Sequence, residues 1–246
     1  MTLMRYCVFA DIHGNLEALE AVIADARKQG AERYVCVGDI VGYGASPSEC
    51  IDRVQGLTTQ VVGGNHDCAV VGRTDLEYFN LFARDAVVWT RAHISPQEKA
   101  YLRDLPLVLK LDDLTLVHAT VHEPERFGYI ESELAARLSF QALNGALAFV
   151  GHSHVPVAFF YEQQADEILF TRDQEIVLDH AAKAIINVGS VGQPRDDDPR
   201  AAYAVYDTDK RKIIIRRIPY DIESAKRKII AAGLPEVLAL RLTLGR

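Results

Sequence analysis

The stretch VVGGNHD, residues 61–67, ends an apolar segment with two glycines and then places three different polar groups on consecutive residues. Val61 and Val62 are typical of the end of a buried strand. Asn65, His66 and Asp67 then supply an amide, an imidazole and a carboxylate. Ligands in α/β folds bind in the loops that follow the carboxyl ends of strands. The stretch therefore predicts a buried strand that runs into a tight turn crowded with polar side chains.

The first half of the sequence alternates between strand patterns and helix patterns. Strands are predicted at residues 5–10, 33–37 and 58–62, with helices between them at 16–29 and 47–55. Strands separated by helices in this way indicate βαβ units and a parallel sheet. A further helix is predicted over 75–92, and we interpret its aromatic side chains as core residues: Tyr78, Phe79, Phe82 and Trp89.

The second half changes to closely spaced strands with few helices. Hairpins are predicted around Asp112–Asp113 and around 208–210, with helices at 132–143, 221–232 and 235–242. Further strands are predicted at 147–150, 157–161, 168–171, 174–178 and 184–188. Because we find no linker, repeat or low-complexity segment, we expect a single domain over residues 1–246. The predicted fold class is α/β, with two mixed β-sheets face to face and helices outside.

Composition and charge argue against several classes of function. The 246 residues include 27 Lys and Arg against 34 Asp and Glu, which gives a net charge of −7. A protein this acidic is not suited to bulk nucleic acid or to an anionic membrane surface. No apolar run approaches the roughly 18 residues of a membrane span, and no targeting segment is recognisable. Because the four cysteines show no C-x-x-C spacing, we expect reduced thiols and a cytoplasmic protein.

Histidine, aspartate and asparagine recur in clusters that directly follow predicted strands. Any one cluster is explained more simply as a capped or satisfied loop. Five clusters with the same arrangement indicate a common site. The clusters are ADIHGN (10–15), VGDIVGYG (37–44), GGNHD (63–67), LVHATVH (116–122) and VGHSHVP (150–156).

These clusters offer carboxylates, an amide and imidazoles, without a convincing cysteine. This mixture suits Mn, Fe, Zn, Ni or Co better than Ca or Mg alone. Seven candidate ligands are too many for one ion, and they fit two divalent ions about 3.5–4 Å apart that share a bridging carboxylate. The seven candidates are Asp11, His13, Asp39, Asn65, His118, His152 and His154.

The clusters and their order resemble the motifs of the calcineurin-like metallophosphoesterases. The pattern of that family is Asp-x-His, Gly-Asp-x-x-Gly, Gly-Asn-His-Asp/Glu, a single His, and Gly-His-x-His. Here these blocks are residues 11–13, 38–42, 64–67, 118 and 151–154. The segment NVGSVGQPRDDDPRAAYAVYD, residues 187–207, is similar to the closing segment of a bacterial subgroup of predicted phosphoesterases, or diadenosine-tetraphosphatase-like proteins. The resemblance therefore extends over nearly the whole chain.

The resemblance implies a calcineurin-like αββα sandwich and a set of metal ligands. One ion would be held by Asp11, His13 and His154, and the other by Asn65, His118 and His152, with Asp39 as the bridge.

The resemblance also implies that His66 is catalytic without being a ligand, and that it assists the leaving group. Asp67 is expected to accept a hydrogen bond from His66 and to fix its ring. The two glycines before Asn65 are expected to let the backbone turn sharply, so that the polar groups face inward.

The sequence differs from the usual family pattern at five positions, none of which is a ligand: Ala10, Ala119, Thr120, Val188 and Asp197. Ala119 adds a β-carbon beside a ligand, which brings the shape of that loop into question. Asp197 replaces a common turn glycine, and aspartate tolerates left-handed backbone better than most residues, so the turn is expected to persist.

Two further residues are candidates for substrate binding, each with a structural alternative. Asn15 either donates to the substrate phosphate or caps the helix that begins at Leu16. Arg195 either clamps a phosphate or forms salt bridges with the neighbouring aspartates at 196–198.

The function expected from this combination is a dinuclear phosphoesterase. It would hydrolyse a phosphomonoester or phosphodiester bond by attack of a metal-activated hydroxide on a small phosphate ester or nucleotide. One alternative is a dinucleoside-polyphosphate hydrolase. Another, of a different class, is a non-catalytic protein-binding scaffold on the same fold, which the intact ligand set and His66 disfavour. The native metal and the oligomeric state stay open at this stage.

Overall fold

Two mixed β-sheets form the centre of the protein. The computed structural model describes residues 4–111, 113–178 and 182–246. The first sheet has the strand order β2 (Arg33–Cys36), β1 (Arg5–Phe9), β10 (Ala201–Asp207), β11 (Lys212–Ile218) and β8 (Glu175–Val177). The second has the order β3 (Val108–Leu111), β4 (Leu114–Val117), β5 (Leu147–Val150), β9 (Ala182–Asn187), β6 (Val157–Glu162) and β7 (Glu167–Thr171).

Helices connect the strands and cover the outer faces of the sheets. They are α1 (Leu16–Lys28), α2 (Pro47–Gln55), α3 (Asn65–Val70), α4 (Leu81–His93), α5 (Pro96–Asp104), α6 (Glu133–Ala142), α7 (Ile222–Ala231) and α8 (Glu236–Leu244). Short 3₁₀ turns occupy Leu76–Tyr78 and Pro124–Arg126. No helix in the described parts of the chain is long and apolar enough to cross a bilayer.

The layer order follows from alternation of side chains along the strands. In β1, Tyr6 and Val8 face the core between the two sheets, whereas Cys7 and Phe9 face the helices on the other side. On the outer face of the second sheet, Phe140 of α6 packs in a separate cluster with residues such as Ile185. The predicted αββα sandwich of two mixed sheets is therefore confirmed.

Strand direction in each sheet brings several carboxyl ends to the same region. β1 and β2 are parallel, and so are β4 with β5 and β5 with β9. The other pairings are antiparallel, including β1 with β10, so the predicted parallel sheet is only the β1–β2 part of a mixed one. The predicted hairpins are β3–β4 and β10–β11, although Asp112, in the turn of the first, lies outside the described residues.

Three local predictions differ from the structure. The predicted strand at 58–62 is a single parallel bridge between Val61 and Cys36 within the described chain. The predicted helix over 75–92 begins only at Leu81, because Asn80 is extended (φ −63°, ψ 162°) and its side chain caps α4. The aromatic residues of this segment are not all core, since Tyr78 is 86% exposed and Phe82 42% exposed.

Candidate metal centre

The predicted ligands meet where strands from both sheets end. Asp11 follows β1, Asp39 follows β2, His118 follows β4, and the pair His152 and His154 follows β5. His13 lies in the loop between β1 and α1, and Asn65 is the first residue of α3. The GGNHD stretch is therefore the start of a short helix and not only a turn. All of these side chains are buried except that of Asn65, which is half-buried.

The backbone at this centre is unusually strained. Five of the seven predicted ligands have left-handed backbone, with φ between 51° and 68°: Asp11, His13, Asp39, His152 and His154. Such conformations cost free energy for non-glycine residues and persist only when the surrounding structure holds them. Hydrogen bonds between loops provide that support. The amide of His13 donates to the Asp39 carbonyl at 3.0 Å, and the amide of His152 donates to Asp11 Oδ2 at 3.0 Å.

One group of candidate ligands consists of Asp11, His13 and His154, whose donor atoms all lie within 4.8 Å of one another. His154 Nε2 is 3.3 Å from Asp11 Oδ1 and 3.1 Å from His13 Nε2.

A second group consists of Asp39, His118 and His152. His118 Nε2 is 3.3 Å from Asp39 Oδ2 and 3.2 Å from Asn65 Oδ1, so the amide oxygen joins this group. Asp39 Oδ2 is also 3.6 Å from His13 Nε2, which places this carboxylate between the two groups.

Hydrogen bonds on the far side of three imidazoles fix which nitrogen faces the centre. His13 Nδ1 contacts the Val41 carbonyl at 3.1 Å, and His118 Nδ1 contacts the Val37 carbonyl at 2.8 Å. His154 Nδ1 contacts a backbone carbonyl as well. A carbonyl only accepts, so each Nδ1 carries a proton and each Nε2 faces the centre, where a neutral ring presents a lone pair.

The charges of the centre depend on burial and on the two carboxylates. Burial alone would lower the pKa of His118, but the charges of Asp39 and Asp11 outweigh it and raise that pKa to about 10. Burial would likewise raise the pKa of Asp39, but His118 and His66 hold it well below its usual range. Burial lowers the pKa of His13, His152 and His154. Most of these imidazoles are therefore neutral, and they do not balance the negative charge of the carboxylates.

The donor set fits divalent metal ions. His13 Nε2 and His154 Nε2 face each other at 3.1 Å, and neutral rings in this tautomer would direct lone pairs at each other. His152 Nε2 is buried without a hydrogen-bond partner among the described residues. Lone pairs that converge on a buried space beside two carboxylates are the environment that imidazole-binding transition metals require.

His66 lies against both groups and is held by packing. Its backbone amide donates to Asp39 Oδ1 at 2.9 Å. Its ring centroid lies 4.5 Å from that of Tyr43, 4.8 Å from that of His13 and 5.0 Å from that of Phe79. His66 Nδ1 is buried and has no hydrogen-bond partner in the described structure. Its donor atom also lies within 4.8 Å of those of His13 and Asp39, close enough for an alternative ligand role.

The prediction that Asp67 accepts a hydrogen bond from His66 is wrong. Asp67 Oδ1 accepts from the amides of Ile40 and Val41, at 2.9 and 3.2 Å, and Oδ2 accepts from the Gly64 amide at 3.0 Å. The carboxylate therefore ties the loop after β2 to the start of α3. Because it is the third residue of α3, Asp67 reaches the helix N-terminus and turns away from the preceding imidazole.

The two candidate substrate-binding residues have different surroundings. Asn15 caps α1, since its Oδ1 accepts from the Ala18 amide at 3.1 Å, and its Nδ2 donates to the Gly192 carbonyl at 2.9 Å. These bonds use both ends of the amide, so the structure supports the capping alternative and not the predicted substrate contact.

Arg195 is not paired with the neighbouring aspartates, which contact other arginines in the described structure: Arg217, Arg246 and Arg200. Its Nη2 donates to the Tyr43 hydroxyl at 3.2 Å and to Gln193 Oε1 at 3.0 Å, both neutral groups. Its Nε is buried without a partner among the described residues. The guanidinium therefore lies beside the centre with a positive charge that no carboxylate neutralises and with an N–H group that has no acceptor among the described residues.

Three further residues contact the candidate site and were not predicted from the sequence: Tyr43, Gln193 and Tyr129. Tyr43 lies one residue beyond the Gly-Asp-x-x-Gly block, where its ring contacts His13 and His66. Its place within the cluster VGDIVGYG was a usable signal. Gln193 lies within the segment 187–207 that resembles the bacterial subgroup, which was a usable signal as well. Tyr129 reaches the site through a tertiary contact with His152, and its sequence surroundings carry no comparable pattern.

A small pocket of about 90 Å³ opens onto the centre. It is lined by candidate ligands, by His66 and Arg195, and by Tyr43, Tyr78, Phe79 and Tyr129. A larger groove of about 690 Å³ lies elsewhere, among residues such as Tyr6 and Arg33 near the starts of β1 and β2. Its described lining contains no histidine. Because ligands bind at the carboxyl ends of strands in such folds, the small pocket is the candidate site.

The fold and the site thus define an α/β sandwich whose joined strand ends carry a buried carboxylate–imidazole centre. Residues 4–211 match the calcineurin-like phosphoesterase superfamily domain, and the chain belongs to that superfamily. It is 40% identical over 243 residues to the uncharacterised protein MJ0912 of Methanocaldococcus jannaschii, with 97% of each chain covered. It is 24% identical over 220 residues to the phosphodiesterase YfcE of Escherichia coli K12, which covers 86% of this chain and 92% of that one.

A solved structure also resembles the protein over its whole length. The crystal structure of a metallophosphoesterase from Sphaerobacter thermophilus has a TM-score of 0.88 and 38% identity, and the match covers 100% of both chains. The family resemblance predicted from the ordered motifs is thereby confirmed.

Proposed function

We propose that the protein is a dinuclear, metal-dependent phosphoesterase that hydrolyses small phosphomonoesters or phosphodiesters. The observation that carries the proposal is the arrangement of two groups of candidate ligands, all buried except the half-buried Asn65, on either side of Asp39. Asp11, His13 and His154 form one group, and Asn65, His118 and His152 form the other. The name of the relative YfcE, a phosphodiesterase, supports a diester substrate.

Bound divalent ions would polarise the phosphoryl oxygens and make hydroxide available near neutral pH. The protein groups around them bind and orient the substrate. Arg195 donates hydrogen bonds to the phosphoryl oxygens. Its present partners, Tyr43 and Gln193, are neutral, so no carboxylate competes for its positive charge. Charge that develops on those oxygens during displacement strengthens these bonds, so Arg195 favours the transition state.

His66 assists the leaving oxygen. Burial, reinforced by Arg195 and only partly opposed by Asp39, lowers the pKa of His66 to about 4, so the ring is neutral before substrate binds. A phosphoryl group beside the ring adds negative charge and favours the protonated form. The packing of His66 against Tyr43 and Phe79 holds the ring in position, a role predicted from the sequence for Asp67. Asp67 instead positions the loops that carry Asp39 and Asn65.

The cellular location is proposed to be the cytoplasm. Cys7, Cys36, Cys50 and Cys68 are all buried and free, which suits a reducing compartment.

Reconstitution with metal tests the proposal. Protein stripped with a chelator and reloaded with Mn, Co, Ni, Zn or Fe should bind two ions and hydrolyse p-nitrophenyl phosphate or bis(p-nitrophenyl) phosphate. Asp39→Asn should lose most of the activity and weaken both sites, because a neutral amide is a poor bridge between two cations. Asp209→Asn, at an exposed position in the β10–β11 turn, is the matched acid-to-amide control.

A saturating stoichiometry of one ion would contradict the dinuclear site. Near-normal turnover of Asp39→Asn with both ions bound would show that Asp39 has been misassigned. Two bound ions with no hydrolysis of monoesters, diesters or a nucleotide panel would favour the non-catalytic scaffold.

A further inference from the structure

The site pocket is too small to enclose a whole nucleotide or a comparable ester. Pockets that bury small-molecule ligands usually measure about 300–1,000 Å³, whereas this one measures about 90 Å³. That volume holds a few water molecules at about 30 Å³ each, which is room for a phosphoryl group. The organic part of the substrate must then lie on the rim, and the rim residues determine which ester is bound best.

Two tyrosines from separate segments form this rim. Tyr78, in the 3₁₀ turn before α4, lines the pocket and is 86% exposed. Tyr129 lines the pocket as well, and its ring stacks on His152 at 4.2 Å between centroids with an interplanar angle of 24°. Tyr129 is still 45% exposed, so His152 does not cover the whole ring.

Among the described residues, the rim lacks the positive charge that would let it bind the substrate by electrostatic attraction instead of by stacking. Arg195 is the single cationic side chain among the described residues that line the pocket, and the proposed function assigns it to the phosphoryl group. The protein as a whole carries a net charge of −7. An extended polyanion would find little attraction beyond the centre, whereas a flat ring would find two aromatic surfaces. Base–aromatic stacking tolerates different bases, because every base has a π-face.

We propose that Tyr78 and Tyr129 form an aromatic rim that stacks against an aromatic group of the substrate, and that the substrate is a nucleotide ester. The inference rests on the proposed phosphoesterase function and adds the substrate class. Tyr129, through its contact with His152, also places the stacked group beside the metal centre.

The test compares substrates that differ only in the aromatic group. Three dinucleoside monophosphates carry the same leaving alcohol and have, on the other nucleoside, a base, a phenyl ring or hydrogen in place of the base. Each is assayed by chromatography with the Mn-loaded enzyme, and the matching 5′-monophosphates are assayed as substrates and as competitive inhibitors. The base and phenyl compounds should exceed the hydrogen analogue in kcat/KM by about 5- to 150-fold, the range of base stacking on an aromatic side chain.

Variants assign this gain to the rim. Tyr78→Ala and Tyr129→Ala should each remove most of the difference between base and hydrogen analogues, whereas Tyr78→Phe and Tyr129→Phe should keep it. Phe170→Ala removes a ring that is 70% exposed on β7 and is the matched control, with no expected effect. Metal content is measured on every Tyr129 variant, because His152 lies beneath that ring.

The results separate the two proposals. Equal kcat/KM for all three analogues, or an equal loss on all three in both alanine variants, overturns the aromatic rim and leaves the phosphoesterase function intact. A gain for the base compound alone, without the phenyl compound, overturns stacking in favour of hydrogen bonds to the base. Absence of hydrolysis and of inhibition by any analogue overturns both proposals.

Discussion

Replacing Asp67 with asparagine distinguishes a carboxylate that holds two loops together from one that orients His66. Asp67 Oδ1 accepts hydrogen bonds from the amides of Ile40 and Val41, and Oδ2 accepts one from Gly64. Asparagine retains one oxygen for the first two amides. It presents its own N–H group to the third, because its second terminal atom is a donor.

The size of the effect follows from the bond that is lost. A hydrogen bond to a charged group contributes about 1.5–3 kcal/mol, and a buried amide left unpaired costs about 1–3 kcal/mol. These two descriptions overlap and do not add. Burial and the charge of Asp39 raise the pKa of Asp67 to about 7, so removing the charge relieves some repulsion. We therefore expect Asp67→Asn to lower the free energy of unfolding by about 2 kcal/mol at pH 7.

The assay is urea unfolding of chelator-treated protein, followed by circular dichroism, with kcat measured on the metal-loaded enzyme. Metal affinity should fall, because Asp39 and Asn65 lie on the two loops that Asp67 joins. The ratio of kcat for p-nitrophenolate and alkoxide leaving groups should stay unchanged. Unaltered stability combined with a selective loss on the alkoxide substrate would refute this reasoning and restore a carboxylate–imidazole pair. Asp221→Asn, an exposed helix cap, is the matched control.

Three further substitutions test other contacts. His66→Gln should lower kcat by about 10²–10⁴-fold with metal content intact, more for an alkoxide than for p-nitrophenolate; loss of an ion would make His66 a ligand. Arg195→Gln should lower kcat/KM by about 10- to 150-fold through lost charged hydrogen bonds, and an unchanged value would contradict the clamp. Asp25→Asn should lower the unfolding free energy at pH 7 by about 1 kcal/mol, since Asp25 Oδ2 accepts from Tyr203 and Arg216 at 2.7 Å. Burial opposes ionisation of Asp25, but these two partners outweigh it and lower the pKa of the carboxyl group. The difference in unfolding free energy between variant and wild type, measured by urea titration, should therefore shrink below about pH 4. A difference that stays constant with pH would contradict the pairing.

The features predicted well from the sequence are those set by local pattern. Polar clusters after apolar segments identified the strand ends, and the structure brings Asp11, Asp39 and His118 together there. The expected left-handed turn at Asp197 is present, with φ 63°. Such features depend on a few neighbouring residues, so they are visible in one sequence.

The features that were predicted wrongly depend on which segments meet. A helical pattern over 75–92 favours burial of all its aromatic residues, but Asn80 starts the helix late and leaves Tyr78 on the rim of the pocket. Likewise, adjacency of His66 and Asp67 suggested a hydrogen bond between them. The start of α3 at Asn65 directs the Asp67 carboxylate toward the amides of residues 40, 41 and 64 instead.

The glycines of the two central blocks explain why these motifs belong together. Gly64 has ordinary extended backbone (φ −96°), so it is not needed for a sharp turn as the sequence suggested. Its requirement is space, since a β-carbon there would overlap the Asp39 carboxylate. Gly42, in the Asp39 block, is the converse case: its φ is 95°, and a β-carbon would overlap the His66 ring. Each block therefore leaves room for the functional side chain of the other. The hydrogen bonds of Asp67 to the amides of residues 40, 41 and 64 also join the two blocks. The two blocks thus form one structural unit, which neither motif specifies by itself.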